Sequence, residues 1–247
     1  MKRKLTMKGP LLGLFALLCV APAFAGLNEG VAALDQGHWD TAIAELTPIA
    51  SANSPEAAAL LGDAYGFRNS EQAVKWDLVA AQYGDEKIQY DMGVRIDEIG
   101  WQLFRYDEPH GKHYFRIAAD CFQRASNRGY APAQNALGMM YEQGLKLPVD
   151  VKRGVTLYRA AARQGYGPGL ESMAVMYTSG RGVKRNLFTA YALFQTAIRY
   201  ANGNGMVTEY SEVTADNIEP HLSNRDIKRA KAIAAAWKPG QPIGEFK

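Results

Sequence analysis

Displaced by 36 residues, the chain lies on top of itself: Pro132-Ala133-Gln134-Asn135-Ala136-Leu137-Gly138-Met139-Met140-Tyr141-Glu142-Gln143-Gly144 aligns with Pro168-Gly169-Leu170-Glu171-Ser172-Met173-Ala174-Val175-Met176-Tyr177-Thr178-Ser179-Gly180. The same shift carries Ala161-Ala162 onto Ala197-Ile198, and Gly129 onto Gly165 and then Ala201. A repeat of this length is one supersecondary unit that cannot bury its apolar face alone, so copies must stack. The expected fold is all-α: a curved α-solenoid of stacked antiparallel helix pairs with a long groove, closed by a C-terminal capping helix.

Each unit reads as two helices. The first carries Ala-x-x-Ala-Leu-Gly-x-x-Tyr and ends at Gly144 or Gly180, where a left-handed glycine stops a helix without Cβ strain. The second is clearest in Leu187, Tyr191, Phe194 and Ile198, which share one helical face. Ser54-Pro55 and Asp150 are helix starts. Gly138, Ala174, Ala161 and Ala197 let neighbouring axes approach while aromatics fill the remaining volume. Earlier copies are irregular. The turn residues Asn53, Gly84, Gly129, Gly165 and Ala201 are separated by 31, 45, 36 and 36 residues, so the second interval is nine too long, with the excess between Gly93 and Gly129. Past Ala201 the repeat fades through Asn202-Gly203-Asn204-Gly205, a flexible link. Ser223 and Asp226 then form a capping box for a terminal helix whose Ile227, Ala230, Ile233 and Trp237 share a face before Pro239-Gly240 ends it.

These residues resemble the Sel-1-like repeat family, a relative of the tetratricopeptide repeat. The resemblance is carried by Ala133 to Gly144, Gly180-Arg181-Gly182-Val183 with Asn186, Ala190-Tyr191-Ala192-Leu193-Phe194 and Ala161-Ala162-Arg163-Gln164-Gly165. Weaker matches reach back to Gly30, where Trp39, Ala42 and Ala50 resemble an opening half-repeat. Leu157, Cys121 and Leu193 stand where the family often has Trp, a position kept by Trp76. The resemblance implies a protein-binding role, as adaptor, as assembly factor or as an immunity protein that occludes a secreted toxic effector. The cysteine pairs of the family's disulfide-rich branch, associated with β-lactam binding and hydrolysis, are missing.

The N-terminus points to export. Lys2, Arg3, Lys4 and Lys8 precede the apolar run Leu11 to Val20, and Ala23-Phe24-Ala25 comes next, a signal peptide over 1–25 cleaved after Ala25. A retained anchor and a lipoprotein at Cys19 are the alternatives; the run is shorter than a span needs, and Leu18 is bulky where a lipoprotein signal has a small residue. The expected layout is a solenoid over 26–203, then a link and capping helix over 204–247, located in the periplasm with no stable membrane insertion after cleavage. Cleavage removes four of the 28 basic residues against 25 acidic ones and turns a net charge of +3 into −1, too little positive charge for a nucleic-acid partner. Only Cys121 remains, so no internal disulfide can form, and its helix position faces the core.

Signals of catalysis are weak. No serine has Gly-x-Ser-x-Gly, Ser-x-x-Lys is absent, and Gly111-Lys112 precedes His113 rather than completing a phosphate loop. His110 and His113 have Gly111 between them, which argues for a turn over a metal-binding face. Asp97-Glu98, Asp107-Glu108 and the basic face Arg225, Lys228, Arg229 and Lys231 read as solvated surface. No cofactor is implied. Around the nine-residue excess lie Trp101, Phe104, Arg105, Tyr106, His110, His113 and Tyr114, the aromatic and Arg density of binding hot spots. Two readings of that stretch stay open: a ridge that contacts a partner, and packing of a lengthened first helix. The leading function is a non-enzymatic scaffold for a protein partner, a secreted effector toxin or an envelope assembly component. The alternatives are a hydrolase acting on cell wall or β-lactams, and a structural part of a polysaccharide export assembly.

Overall fold

The computed structural model describes residues 26–51, 54–144, 147–201 and 205–243; the expected export signal, the turn residue Asn53 and Asn202-Gly203-Asn204 of the link lie outside them. Among the described residues there is no strand. The chain divides into two compact units, Met1–Gly84 and Asp85–Lys247, each a stack of antiparallel helices.

The first unit holds α1 (26–35), α2 (Trp39–Ala50), α3 (Pro55–Tyr65), a 3-10 turn (Gly66–Asn69) and α4 (Ser70–Tyr83). Gly30 brings α1 so close to α2 that a Cβ there would come within 2.5 Å of Leu46. Helix α3 starts as its sequence dictates: the Ser54 hydroxyl accepts from Ala57 N–H (3.2 Å) and Pro55 fills the first turn. Trp39 stays 40% exposed beneath the Arg68 guanidinium, 5.0 Å from its ring centroid. Asp77 of α4 is fully buried, and that burial pushes its carboxyl up to about 8.

The second unit runs α5 (Glu86–Phe104), α6 (Glu108–Asn127), α7 (Ala131–Gln143), α8 (Val151–Arg163), α9 (Gly167–Ser179), α10 (Leu187–Arg199), α11 (Gly205–Ile218) and α12 (Asn224–Ala236). Helices α7 to α10 have 13 residues each and close their hairpins through seven-residue loops. Helices α5 and α6 have 19 and 20 residues and a loop of three, Arg105 to Asp107. The nine-residue excess is therefore not an appended loop. It lengthens the two helices by six and seven residues and shortens their connection by four.

Small residues close each hairpin. A Cβ on Gly138 would meet the Tyr158 ring at 2.7 Å, and one on Gly93 would meet the Phe122 ring at the same distance. Glycines Gly144 and Gly180 end α7 and α9 in the left-handed conformation, and Asp150 and Asn186 cap α8 and α10 through Arg153 N–H and Thr189 N–H. Adjacent hairpins are also latched: Glu142 accepts from the Tyr158 hydroxyl (2.8 Å) and from Arg181 (2.6 Å), an arginine of the loop that closes the next hairpin.

Both α11 and α12 pack on α10, whose Thr189 through Phe194 are all buried. Helix α12 begins on the expected Ser223 cap, which accepts from Asp226 N–H (3.1 Å), and buries Ala230 and Ala234, with Trp237 buried just past its end. The sequence assigned no helix to 205–218, where α11 lies.

Candidate functional site

The extension of the α5–α6 hairpin is a built structure. A Cβ on Gly100 would meet the Phe115 ring at 2.7 Å, and one on Gly111 would come within 2.6 Å of the Phe104 backbone. The two helices thus touch to their ends, which fixes the side chains near the tip. Trp101 packs edge-on against Phe104 (5.8 Å between centroids) and Phe115 (5.1 Å), and Phe104 lies 5.7 Å from Phe115. Even so, Trp101 keeps 40% of its surface and Tyr106 keeps 91%.

Glu98, Trp101 and Gln102, spaced three and four residues from the first, form one stripe of α5, and Arg105, seven from the first, continues it just past the helix end. With Tyr106 they line a cavity of about 530 Å³. The sequence-derived candidates divide accordingly. Trp101, Arg105 and Tyr106 share the cavity; Phe104 packs against Trp101 without lining it. His110 stands at the start of α6, where Asp107 accepts from its backbone N–H (3.2 Å) and pairs with its Nδ1 (2.6 Å). Those contacts hold the Asp107 carboxyl below its ordinary range, the backbone N–H contributing most. The His113 ring contacts Tyr114, 5.7 Å away, and neither lines the cavity. Glu98 and Gln102 were not singled out from sequence, although their spacing from Trp101 on a helix was the available signal.

A cavity walled by an indole, a phenol, a guanidinium, an amide and a carboxylate offers stacking area and both signs of charge, the equipment of recognition. Its lining holds no serine, cysteine, histidine or lysine. Cys121 is only 2% exposed. Among the described residues no cluster of three or more His, Cys, Asp and Glu is placed to hold a metal ion, and no helix is long and apolar enough to cross a membrane.

A second cavity, of about 410 Å³, opens where one hairpin of the second unit turns into the next. Glu86, Arg128, Tyr130, Pro132, Gln164 and Tyr166 are on its wall. Tyr130 and Tyr166 are 36 residues apart and each comes directly after a left-handed glycine, Gly129 and Gly165. Sequence reasoning used those glycines to set the register and passed over the tyrosines beside them.

Comparison with known proteins agrees with this architecture. The Sel1 repeat profile matches residues 55–83, 89–121, 131–166 and 169–199, more than half of the chain. The crystal structure of c5321, a protective antigen present in uropathogenic Escherichia coli strains that displays an SLR fold, superposes with a TM-score of 0.64. Identity is 24%, over 86% of this chain and 44% of that one. The present chain thus spans less than half of that protein's length. A Sel1 repeat protein from Oxalobacter formigenes superposes with a TM-score of 0.49 and 21% identity, over 69% of this chain and 68% of that one. No curated protein matches the chain.

Proposed function

The chain belongs to the Sel1 repeat family, and from that premise we propose that it is an exported, non-catalytic scaffold that holds another protein at the tip of its long hairpin. Sel1 repeats generally mediate protein–protein interaction. The observation that carries the reading is the exposure of Tyr106 (91%) beside Trp101 and Arg105 on one cavity wall. Large aromatics left in water beside an arginine are the composition of interface anchors, since they desolvate much area with few rotatable bonds. Export to the periplasm rests on the basic, apolar and Ala-Phe-Ala succession of residues 2–25.

Two measurements test this. Mass spectrometry of the protein recovered from the periplasmic fraction is expected to find Gly26 as the first residue; recovery in the cytosol with an intact N-terminus overturns export. Partners cross-linked to the wild-type protein in cells are expected to be lost or strongly reduced with Trp101→Ala and with Arg105→Ala, while circular dichroism stays unchanged. Undiminished capture by both variants removes the tip from the function.

A further inference from the structure

Side-chain caps start seven of the described helices; α2, which follows His38, has none, and the second unit holds two more exceptions that share a pattern. Ser54, Asn69, Asp85, Asp107, Asp150, Asn186 and Ser223 each accept a backbone N–H of the helix they begin. Helices α7 and α9 begin instead on Tyr130 and Tyr166, whose side chains make no capping bond. Tyrosine twice, at the same register, in the place of a capping residue gives up local stabilisation, and positions that break a local rule this way are expected where function resides.

The tyrosines gather around the 410 Å³ cavity. Tyr130 meets Tyr90 edge to face, 5.4 Å between centroids at 61°. The Tyr166 phenol is pushed up to about 12, chiefly by burial and then by the nearby Tyr90 and Tyr130 hydroxyls, so it stays neutral at physiological pH. Burial raises the Tyr130 phenol most, then Asp91, with Asp85 and Glu86 adding to the rise and Lys87 opposing it. Lys87 is already paired with Asp91 (2.6 Å), and Asp85 accepts from Ile88 N–H (2.8 Å), which leaves Glu86 as the carboxylate on the cavity wall. Neutral aromatic faces beside a carboxylate attract a cation.

We infer that this cavity receives a single lysine or arginine side chain of a protein partner, held against the rings of Tyr130 and Tyr166 and neutralised by Glu86. Arg128 borders the same cavity, so the fitting occupant is an isolated cation and not a run of basic residues. The inference rests on the reading that the chain binds protein, but it concerns residues that do not line the hairpin-tip cavity.

The test is tyrosine-ring NMR of the full chain, titrated with the peptide acetyl-Gly-Lys-Gly-amide and with its counterpart carrying Nε-acetyl-lysine. The Tyr130 and Tyr166 signals, assigned by their loss in Tyr→Leu variants, are expected to shift saturably with the charged peptide only. Tyr166→Phe keeps the ring and is expected to bind as wild type; Tyr166→Leu is expected to bind about fivefold more weakly, and Glu86→Gln about threefold more weakly. Equal shifts with both peptides, no saturable shift, or unchanged binding in Tyr166→Leu and Glu86→Gln overturns the proposal. Each of those results leaves capture at the hairpin tip untouched, because the Trp101 and Arg105 variants report on it separately.

Discussion

The α5–α6 and α7–α8 hairpins solve one packing problem at two lengths. Both close on a glycine set against an aromatic ring, Gly93 on Phe122 and Gly138 on Tyr158. In α7–α8 the first helix runs only five residues past that glycine before a seven-residue loop, and Arg181 of the next such loop latches onto Glu142 of α7. In α5–α6 the helices run on, add the close contacts of Gly100 with Phe115 and Gly111 with Phe104, and turn within three residues. The comparison teaches that the repeat carries its packing near the turn between hairpins, and that additions at the far end are free to serve another purpose. In this chain they raise Trp101, Arg105 and Tyr106 into solvent.

The sharpest test extends the comparison to the first unit. Asp77 stands seven residues before Gly84, as Phe122, Tyr158 and Phe194 stand seven before Gly129, Gly165 and Ala201. A buried carboxyl therefore occupies the register position of an aromatic, with its pKa raised from 3.8 to about 8. The folded state holds a proton that the unfolded state has released, so Asp77 lowers stability progressively as pH rises from about 4 to about 8. The loss amounts to roughly 5–6 kcal/mol over that range. Urea midpoints for wild type and Asp77→Asn between those limits are expected to converge at the acid end and diverge as pH rises; parallel curves would show that Asp77 does not titrate in this way.

Next in size is Gly111→Ala. Alanine favours an isolated helix by about 1 kcal/mol over glycine, yet here its Cβ would strike the Phe104 backbone, which cannot rotate aside. A net destabilisation of about 2 kcal/mol is expected in urea unfolding, and a neutral or stabilised variant would mean that the tip is not close-packed. Glu142→Ala removes the acceptor of both the Tyr158 hydroxyl and Arg181, and is expected to cost about 1–2 kcal/mol. The same measurement on Glu142→Gln, which keeps an acceptor, is expected to recover about half of that loss. Smallest is Asn186→Ala, the cap of α10, expected to lower stability by about 1 kcal/mol; no loss would remove capping as the reason for that helix start.

Much of the fold was legible because the repeat writes its own boundaries. Gly144 and Gly180 announce helix ends, Ser54, Asp150 and Ser223 announce starts, and each does so through bonds between near neighbours in the chain. The excess of nine was legible as a number and, in one of two readings, as a lengthened first helix; that the second helix lengthens with it was not. One count fits either a longer loop or longer helices, and the choice depends on Gly100 and Gly111 meeting rings and backbone from the opposite helix. Helix α11 escaped notice because its sequence comes after a glycine-rich stretch and departs from the repeat. For the site, Trp101, Arg105 and Tyr106 are close in sequence and were found together. Tyr130 and Tyr166 are 36 residues apart, and their approach is a property of stacking alone.

The connections between hairpins carry a last consequence. Residues 128–130 and 164–166 each join one pair to the next through three residues, with Gly129 and Gly165 in the left-handed region. Both of these seams have the same length, whereas the far end of the α5–α6 hairpin absorbs a net nine residues. Protein engineers seeking to graft a foreign peptide or lengthen the reach of this molecule should cut at the hairpin tips, and those wishing to multiply its modules should splice whole 36-residue cassettes from seam to seam.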